Sequence, residues 1–383
     1  MSSSPPTTQL TIINNTGLYQ NDEIYFYVVG ISYESNCFSH LESDGSFTQC
    51  SINDNGPDGY TDYSIGLNPG GGQTSIELPE MYSGQIYFSF GEKLKIAVNS
   101  NKTQPCGLGI AFPSGWTPAD PNYNILYADI EFTYTNTGVM NCDTTYVDMF
   151  SVPITMQLIG QQNQTVGQLV PGGFQQIYDA FAANSDFASL IVGNNLRVIA
   201  PGHGIDAGLF SSTYLDSYIQ QCWQYYQKNQ LTVNVTGIGT YTGQVDSSNV
   251  FNFEPLASPS IISSPPDIIS LPATRDVFYC NNTLAAPNTD FGAVVAIIGA
   301  ALNRGVLTNG TTQPVCSSGD FYANAPTNYY SQILHANSLA GQCYGFPFDD
   351  VCGLYSSDIS DPAPTQLILT LEALYPGSPS GSP

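Results

Sequence analysis

A short alternating segment of the sequence places two carboxylates and a hydroxyl on one face of a predicted strand. In residues 127–134 (YADIEFTY) polar side chains occupy every second position, so Asp129, Glu131 and Thr133 would face one side and apolar side chains the other. Neighbouring carboxyl groups in different environments can serve as acid and base toward a bound substrate. The segment therefore predicts a half-buried strand that could present acid–base chemistry.

A further acidic position, Asp148, lies 17 residues after Glu131. Residues 144–150 predict a strand in which Tyr146, Asp148 and Phe150 share a face, and the polar turn at 136–138 predicts that both strands form a hairpin. Glu131 and Asp148 would then face one groove, an arrangement suited to the acid and base of a glycosidase. The alternative is that these carboxylates form only the solvated outer face of a sheet.

Other catalytic arrangements have less support in the sequence. No glycine-rich phosphate loop follows a predicted strand, and three histidines are too few for a typical zinc site. His203 lies in the sequence Pro-Gly-His-Gly, which predicts a surface turn, and no Gly-x-Ser-x-Gly elbow precedes a helix. A Cys343 nucleophile beside His335 is a further alternative, although we expect Cys343 to form a disulfide. Carboxylates are therefore the favoured catalytic groups, and we expect no metal and no cofactor.

The elements that must position these groups are mostly strands in the first 155 residues. Alternating segments between clusters of Gly, Pro, Asn and Ser predict strands at 10–14, 23–29, 85–90, 93–98, 124–134 and 144–150. This pattern is typical of a β-sandwich or barrel. A last strand is predicted at 366–374, before a flexible Pro-, Gly- and Ser-rich tail at 375–383.

The middle of the chain has helical periodicity instead. Apolar side chains three and four positions apart predict helices at about 174–182 and 213–228. A segment that is apolar nearly all round predicts a buried helix at 291–303, and a fourth helix is predicted at about 328–339. Thr213 and Asp216 resemble a capping box at the start of the second helix, and Gly341 would stop the fourth. Strands return between 231 and 253, and the Pro- and Ser-rich residues 255–272 predict an extended connector.

Composition limits the class of partner. The chain has 383 residues, enough for two domains, with 31 Asp and Glu against 7 Lys and Arg and a net charge of −24. Such a charge repels phosphate backbones and anionic lipids, so we expect no nucleic-acid and no membrane partner. Hydrophobic residues make up 42% of the chain, which predicts a folded protein. A monomer is the default expectation.

Cysteines and glycosylation sequences indicate the compartment. Nine cysteines without a Cys-x-x-Cys pair favour disulfides and therefore secretion. Six Asn-x-Ser/Thr sequences support a secreted glycoprotein; they begin at Asn14, Asn101, Asn163, Asn234, Asn281 and Asn309. Candidate disulfides are Cys37 with Cys50 and Cys316 with Cys343, but spacing leaves the pairing open, and an odd count leaves at least one thiol unpaired within the chain.

Several segments resemble one enzyme family in the same order along the chain. They are 128–134 (ADIEFTY), 146–150 (YVDMF) with Pro153 and Ile154, 196–201 (LRVIAP), 214–216 (YLD) with Trp223, 301–304 (ALNR) and 344–351 (YGFPFDDV). Together they resemble glycoside hydrolase family 64, the laminaripentaose-producing β-1,3-glucanases. The first two segments and 344–351 are the specific ones, and the resemblance covers most of the chain.

The resemblance implies a mainly β protein with an α/β part. A thaumatin-like β-sandwich or barrel domain would comprise residues 1–155 and 331–374. A mixed α/β domain would comprise residues 156–330, and a wide groove would lie between the two domains.

The resemblance also implies roles for individual residues. Glu131 would be the general acid and Asp148 the general base in the hydrolysis of β-1,3-glucan with inversion, giving short products such as laminaripentaose. Asp349 and Asp350 match an acidic pair that lines the groove, and Thr133 matches a position near the scissile bond.

Further groups would support these roles. Desolvation or neighbouring negative charge must keep Glu131 protonated, and Asp129, Asp349 and Asp350 could supply that charge. The faces of Tyr146 and Trp116 are candidates for stacking on sugar rings.

Two non-enzymatic hypotheses remain at this point. A thaumatin-like scaffold could belong to a non-catalytic β-1,3-glucan-binding or antifungal protein, because a fold does not determine a function. A structural secreted or spore-coat protein would account for the Tyr and Ser content but not for the ordered segments. The presence of both Glu131 and Asp148 favours the enzyme.

Overall fold

The computed structural model describes residues 7–256 and 266–374. Within these ranges the chain is mainly β, with twenty-three strands and six α-helices. The tail predicted at 375–383 lies outside the described residues, as does the part 257–265 of the predicted connector. None of the helices in these ranges has the length and apolar character needed to cross a membrane.

The first part of the chain is built from strands, as its alternating pattern predicts. The strands are β1 (Thr7–Asn14), β2 (Ile24–Ile31), β3 (Phe38–Leu41), β4 (Phe47–Gln49), β5 (Ile65–Gly66), β6 (Thr74–Pro79), β7 (Met81–Phe90), β8 (Ala97–Ser100), β9 (Leu108–Ala111), β10 (Leu126–Tyr134), β11 (Met140–Asp143), β12 (Met149–Phe150), β13 (Ile154–Ile159) and β14 (Gln164–Val166).

Helices and strands then alternate. The remaining elements are α1 (Gly173–Ala183), β15 (Ile191–Val192), β16 (Arg197–Ile199), α2 (Pro201–Asp206), α3 (Asp216–Tyr226), β17 (Leu231–Val235), β18 (Gly239–Val245), β19 (Val250–Pro255), β20 (Ile268–Ser270), α4 (Thr274–Tyr279), α5 (Asp290–Asn303), β21 (Thr312–Gln313), α6 (Tyr329–Asn337), β22 (Asp358–Asp361) and β23 (Gln366–Leu371). The four predicted helices are confirmed as α1, α3, α5 and α6, while the short helices α2 and α4 were not predicted.

Two large sheets hold the first part of the chain together with its end. One has the strand order β14-β13-β23-β1-β6, and the other has the order β22-β11-β10-β7-β2-β3-β4 with β5 beside β2. The predicted C-terminal strand is confirmed as β23, which lies parallel to β1 with Leu10 opposite Leu367. Alternate side chains of both sheets are buried in one continuous hydrophobic cluster, which makes the sheets a rigid base for the groups they carry.

Strand β10 is the central element for the predicted chemistry. Its burial alternates as expected, with Ile130, Phe132 and Tyr134 buried and Glu131 exposed. Gly84 on β7 lies opposite Phe132, and a Cβ at that glycine would stand 2.6 Å from the ring. The missing side chain therefore lets Phe132 pack flat against β7 and fixes the opposite face of β10 toward solvent.

The predicted hairpin partner of β10 is wrong. The strand that pairs with β10 is β11 rather than residues 144–150, so Asp143, not Asp148, belongs to the hairpin. Beyond β11 the backbone leaves the sheet, because the Tyr146 N–H donates to the carbonyl of Tyr344, and only β12 forms a strand, paired with β16. Tyr146 and Phe150 are buried while Asp148 is exposed, so the three side chains do not share a face.

The capping box predicted for the second helix is also wrong. Helix α3 begins at Asp216, two residues later than a cap at Thr213 requires, and the Asp216 carboxylate accepts a hydrogen bond from the Thr274 hydroxyl at 2.7 Å. A contact to a distant helix has therefore replaced the local cap. Helix α6 ends at Asn337, and Gly341 closes a short 3-10 turn after it rather than the helix itself.

The disulfides differ from both candidate pairs. Cys37 is bonded to Cys106 and Cys316 to Cys352. The other five cysteines are buried thiols: Cys50, Cys142, Cys222, Cys280 and Cys343. The predicted partners Cys50 and Cys343 lie in the interior, where burial raises the pKa of both thiols and leaves them unreactive.

Candidate active site

Four polar side chains stand in a row across the large sheet that contains β10. Glu131 lies opposite Gln85 on one side and opposite Asp143 on the other, and Asp143 lies opposite Asp358. Residues directly opposite each other in antiparallel strands project from the same face, so these groups form one carboxylate row. With Thr133 and Asn141 they line a pocket of about 330 Å³.

The environment of Glu131 favours its protonated form. Desolvation in the concave pocket is the main cause of a raised Glu131 pKa, and the negative charge of Asp148 adds to it, while a hydrogen bond from Gln85 acts in the opposite direction. The influence of Asp148 also shows that the two predicted carboxylates lie close enough for one charge to affect the other. A carboxyl group of this kind can donate a proton.

Two further carboxyl groups hold protons more strongly. Desolvation, then the charges of Glu131 and Asp358, raises the pKa of Asp143 to about 7. Desolvation, then the charges of Glu131, Asp148 and Asp143, raises the pKa of Asp129 to about 8. The carboxyl groups in and beside this row therefore carry fewer negative charges at neutral pH than their number suggests, because desolvation and like charges at close range oppose ionisation.

Asp148 has a different environment from the row. Its side chain is 56% exposed, and its Oδ1 atom lies 2.7 Å from Nε2 of His203. Its backbone carbonyl accepts a hydrogen bond from the Ala200 N–H at 2.8 Å. The segment 200–203 therefore binds both the backbone and the side chain of Asp148. An exposed carboxylate that accepts a hydrogen bond from an imidazole is suited to accepting a proton from water.

His203 is the main residue in contact with the candidate site that sequence reasoning missed. The surface turn predicted there is wrong: His203 lies in helix α2, is only 9% exposed, and stacks on the ring of Trp116 at 4.0 Å. Its Nδ1 atom lies 2.9 Å from the Tyr279 hydroxyl. Gly202 permits this packing, since a Cβ there would stand 2.7 Å from the Tyr279 ring. Pro201 at the first helical position was the available signal for α2.

Other predicted site residues lie around this groove. Thr133 lines the pocket beside Glu131, and Trp116, half-buried, lies next to Asp148 through its stack on His203. Asp350 is exposed, and its charge adds to desolvation in raising the pKa of Asp358 at the end of the carboxylate row. Tyr146 is instead buried against Phe150, so it supports the fold of the groove and offers no face to a sugar.

Asp349 does not line the groove, which corrects the expectation for the acidic pair. It is fully buried, and its carboxylate contacts Arg304 at 3.1 Å, Nε2 of His335 at 2.7 Å and the Gly345 N–H at 2.9 Å. Arg304 also donates to the backbone carbonyls of Asp349 and Val351. Asp349 therefore holds the turn that presents Asp350, and its charge is balanced inside the protein.

The alternative chemistries find no further support in the described residues. Cys343 is fully buried, and His335, its predicted partner, is engaged by Asp349. Across residues 7–256 and 266–374, no group of three or more His, Cys, Asp or Glu side chains is arranged to hold a metal ion. The carboxyl groups of Glu131 and Asp148 remain the groups best placed for acid–base chemistry.

Comparisons with known proteins agree with this architecture. A structure described as a laminaripentaose-producing β-1,3-glucanase in complex with laminaritetraose is 30% identical, with a TM-score of 0.85 over 97% of this chain and 99% of that one. A β-1,3-glucanase domain from Clostridium beijerinckii is 29% identical, with a TM-score of 0.81 over 97% and 100% of the two chains.

The sequence comparisons point to the same family. A glucan endo-1,3-β-glucosidase of Cellulosimicrobium cellulans is 30% identical over 335 residues, which are 81% of this chain and 58% of that protein. The chain thus spans little more than half the length of this curated relative. The profile of glycoside hydrolase family 64, described as β-1,3-glucanase, matches residues 6–371. The chain therefore belongs to glycoside hydrolase family 64.

Proposed function

We propose that the protein is a secreted β-1,3-glucanase that hydrolyses laminarin, curdlan and cell-wall glucan to short oligosaccharides such as laminaripentaose. The observation that carries the proposal is the contrast between the environments of two carboxyl groups whose charges influence each other. Desolvation within the pocket and the negative charge of Asp148 raise the pKa of Glu131 and favour its protonated form, while Asp148 accepts a hydrogen bond from His203. Such a pair of environments assigns an acid and a base.

The proposed reaction uses each group once. Glu131 donates its proton to the glycosidic oxygen as the bond to the anomeric carbon breaks, and Asp148 accepts a proton from the water that attacks the opposite face. The configuration at that carbon is therefore inverted, and no covalent intermediate forms. This mechanism requires room for a water, which corresponds to a carboxyl separation of roughly 6.5–9.5 Å.

The substrate is proposed from the comparisons and the groove together. Family membership and the laminaritetraose bound to a similar structure support a β-1,3-glucan. Thr133, Asp129 and Asp350 are the proposed hydrogen-bonding groups for sugar hydroxyls, and Trp116 is the proposed stacking surface. Tyr146 and Asp349 are not included, because both are buried.

The remaining expectations are proposals of the same kind. The division into a thaumatin-like domain (1–155 and 331–374) and an α/β domain (156–330) is supported by the pairing of β23 with β1. Secretion and glycosylation are supported by two disulfides and by four exposed sequon asparagines, which are Asn101, Asn163, Asn234 and Asn309. A monomer that needs no cofactor remains the expected active form.

The test compares the protein with its Glu131→Gln variant on laminarin and curdlan. We expect the variant to lose at least about 100-fold in rate, because it cannot donate the proton. Glu77→Gln on the exposed face of β6 is the matched control and should keep full activity. Chromatography of the products gives their length, and NMR of the first product gives the anomeric configuration. A wild-type protein that binds curdlan but releases no sugar would instead be a glucan-binding protein.

A further inference from the structure

We infer that His203 is a positioning residue for Asp148 and that it acts as a doubly protonated imidazolium. The inference rests on the proposed function, because it assigns to His203 the task of keeping the proposed base oriented and ready to accept a proton. Its evidence is a chain of three polar contacts through the imidazole ring. These contacts join Asp148, His203, Tyr279 and Asp206.

The number of contacts determines the number of protons. Asp148 Oδ1 lies 2.7 Å from Nε2 of His203, Nδ1 lies 2.9 Å from the Tyr279 oxygen, and that hydroxyl donates to Asp206 Oδ2 at 2.9 Å. Tyr279 has one proton, so a hydroxyl that donates to Asp206 must accept from His203. An ionised Asp148 can only accept, so Nε2 must also carry a proton.

The charges around the ring are consistent with a cation. The groups that face it are the carboxylates of Asp148 and Asp206, the hydroxyl of Tyr279 and the indole of Trp116. Arg275 binds Asp206 through two hydrogen bonds of 2.7 and 2.8 Å, so Arg275 and Asp206 balance each other. A protonated His203 then balances Asp148, and the whole group is neutral.

The geometry explains how His203 would help the base. The backbone N–H of Ala200 and the side chain of His203 hold Asp148 from the same segment, and stacking on Trp116 keeps the imidazole from rotating. No hydrogen bond from the described residues reaches Oδ2 of Asp148, which leaves that oxygen for water.

The first experiment measures kcat and KM on laminarin for His203→Ala, His203→Gln, Asp148→Asn and the double variant His203→Ala/Asp148→Asn. We expect His203→Ala to lower kcat by about 10- to 100-fold with KM changed by less than about twofold. His203→Gln retains a donor for Asp148 and should recover part of the loss. In the Asp148→Asn background, His203→Ala should cause no further loss, because its effect passes through Asp148.

These outcomes separate the inference from the proposed function. An Asp148→Asn variant with full activity would contradict the proposed base, whereas an inactive Asp148→Asn with a fully active His203→Ala would overturn only the inference. Losses that multiply in the double variant would also overturn it, because they would indicate a general structural role. Thermal unfolding of each variant verifies that the fold is retained.

A second measurement tests the protonation state without any substrate. The chain has three histidines, so ¹⁵N labelling of histidine gives three ring systems, and the signal of His203 is the one missing in His203→Gln. We expect both ring nitrogens of His203 to carry protons at the pH of maximal activity. In Asp148→Asn the ring should carry only one proton at that pH, because the carboxylate that balances the imidazolium is absent. A ring with one proton in the active wild-type protein would overturn the inference.

Discussion

The protein contains two Asp–His–Tyr arrangements that look alike but differ in their surroundings. In the groove, Asp148 lies 2.7 Å from His203, whose other nitrogen faces Tyr279 and whose ring stacks on Trp116. In the interior, Asp349 lies 2.7 Å from His335, whose other nitrogen faces Tyr322 at 3.2 Å and whose ring stacks on Tyr355. The same three residue types therefore occur once beside the proposed substrate and once in the core.

The two arrangements differ in where their charges are balanced. Asp349 already contacts Arg304, so two protons, one on His335 and one on Tyr322, satisfy the contacts and leave the buried group neutral. In the groove Arg275 binds Asp206, so it does not balance Asp148. Tyr279 also donates its proton to Asp206, so the contacts of His203 require a third proton, which is the second one on its ring. The buried arrangement supports the fold, while the exposed one leaves an oxygen of Asp148 available for chemistry.

The largest expected effect comes from breaking the buried arrangement. Asp349→Asn leaves the guanidinium of Arg304 buried without its carboxylate, so we expect the free energy of unfolding to fall by about 3–5 kcal/mol. Urea unfolding followed by circular dichroism measures this loss. The adjacent and exposed Asp350→Asn is the matched control and should change stability by less than about 0.5 kcal/mol.

The same measurement on Asp148→Asn sharpens the contrast. We expect this variant to lose much less stability than Asp349→Asn, because the Asp148 side chain is exposed, while its glucanase rate falls by about 100-fold or more. An Asp349→Asn variant that keeps its stability but loses activity would place Asp349 in the groove after all. That result would contradict the division of roles between the two arrangements.

The next prediction concerns a carboxyl group that has no cation beside it. The raised pKa of Asp143, about 7, means that the folded protein keeps this proton at pH values where the unfolded chain has lost it. The free energy of unfolding therefore decreases as the pH rises through this window from about 4 to about 7, and the penalty is complete above it. Asp143→Asn cannot ionise and should remove the penalty.

We therefore expect Asp143→Asn to be more stable than the wild-type protein by about 2 kcal/mol at about pH 8, after allowance for solvent screening, and to match it at about pH 4. Urea unfolding at both pH values gives the comparison. Glu77→Gln, on the exposed face of β6, controls for the loss of one negative charge. An equal gain for Asp143→Asn at both pH values would show that its ionisation is not responsible.

Much of the fold could be predicted from the sequence, but only about half of the proposed site could. Strand β10 was predictable because one face is buried and the other is exposed to solvent. Apolar and polar side chains therefore alternate along it, as at Ile130, Glu131 and Phe132. Asp148 was identified as a candidate from the pattern of residues 144–150, and the resemblance implied its role as base, but its position was predicted wrongly. The backbone around it bonds to Tyr344 and Ala200, which are distant in sequence.

His203 was missed for a related reason. A helix of six residues that contains two glycines has little intrinsic helical preference, and α2 exists because it packs against α4. Likewise, the pairing of Cys37 with Cys106 depends on which loops meet in the folded chain, and spacing alone carries no such information. Local patterns therefore predicted the elements, while the contacts between distant elements determined the site.

The smallest expected effects come from removing the tyrosine hydroxyl in each arrangement. Tyr322→Phe and Tyr279→Phe each remove the hydroxyl at Nδ1 of a histidine. In the core, Tyr322→Phe leaves the buried Nδ1 of His335 without a partner, so we expect a loss of about 1 kcal/mol in the free energy of unfolding and little change in kcat. In the groove, Tyr279 is half-buried, so Tyr279→Phe should change stability by less than about 0.5 kcal/mol.

Activity should show the opposite order. Tyr279→Phe removes the link between His203 and Asp206, so we expect kcat on laminarin to fall by about threefold to tenfold with KM nearly unchanged. The histidine spectrum should show only one proton on the His203 ring at the pH of maximal activity, because Nδ1–H then has no acceptor. If Tyr322→Phe reduces kcat as much as Tyr279→Phe does, the two arrangements do not have separate roles, since only the groove arrangement contacts the proposed base.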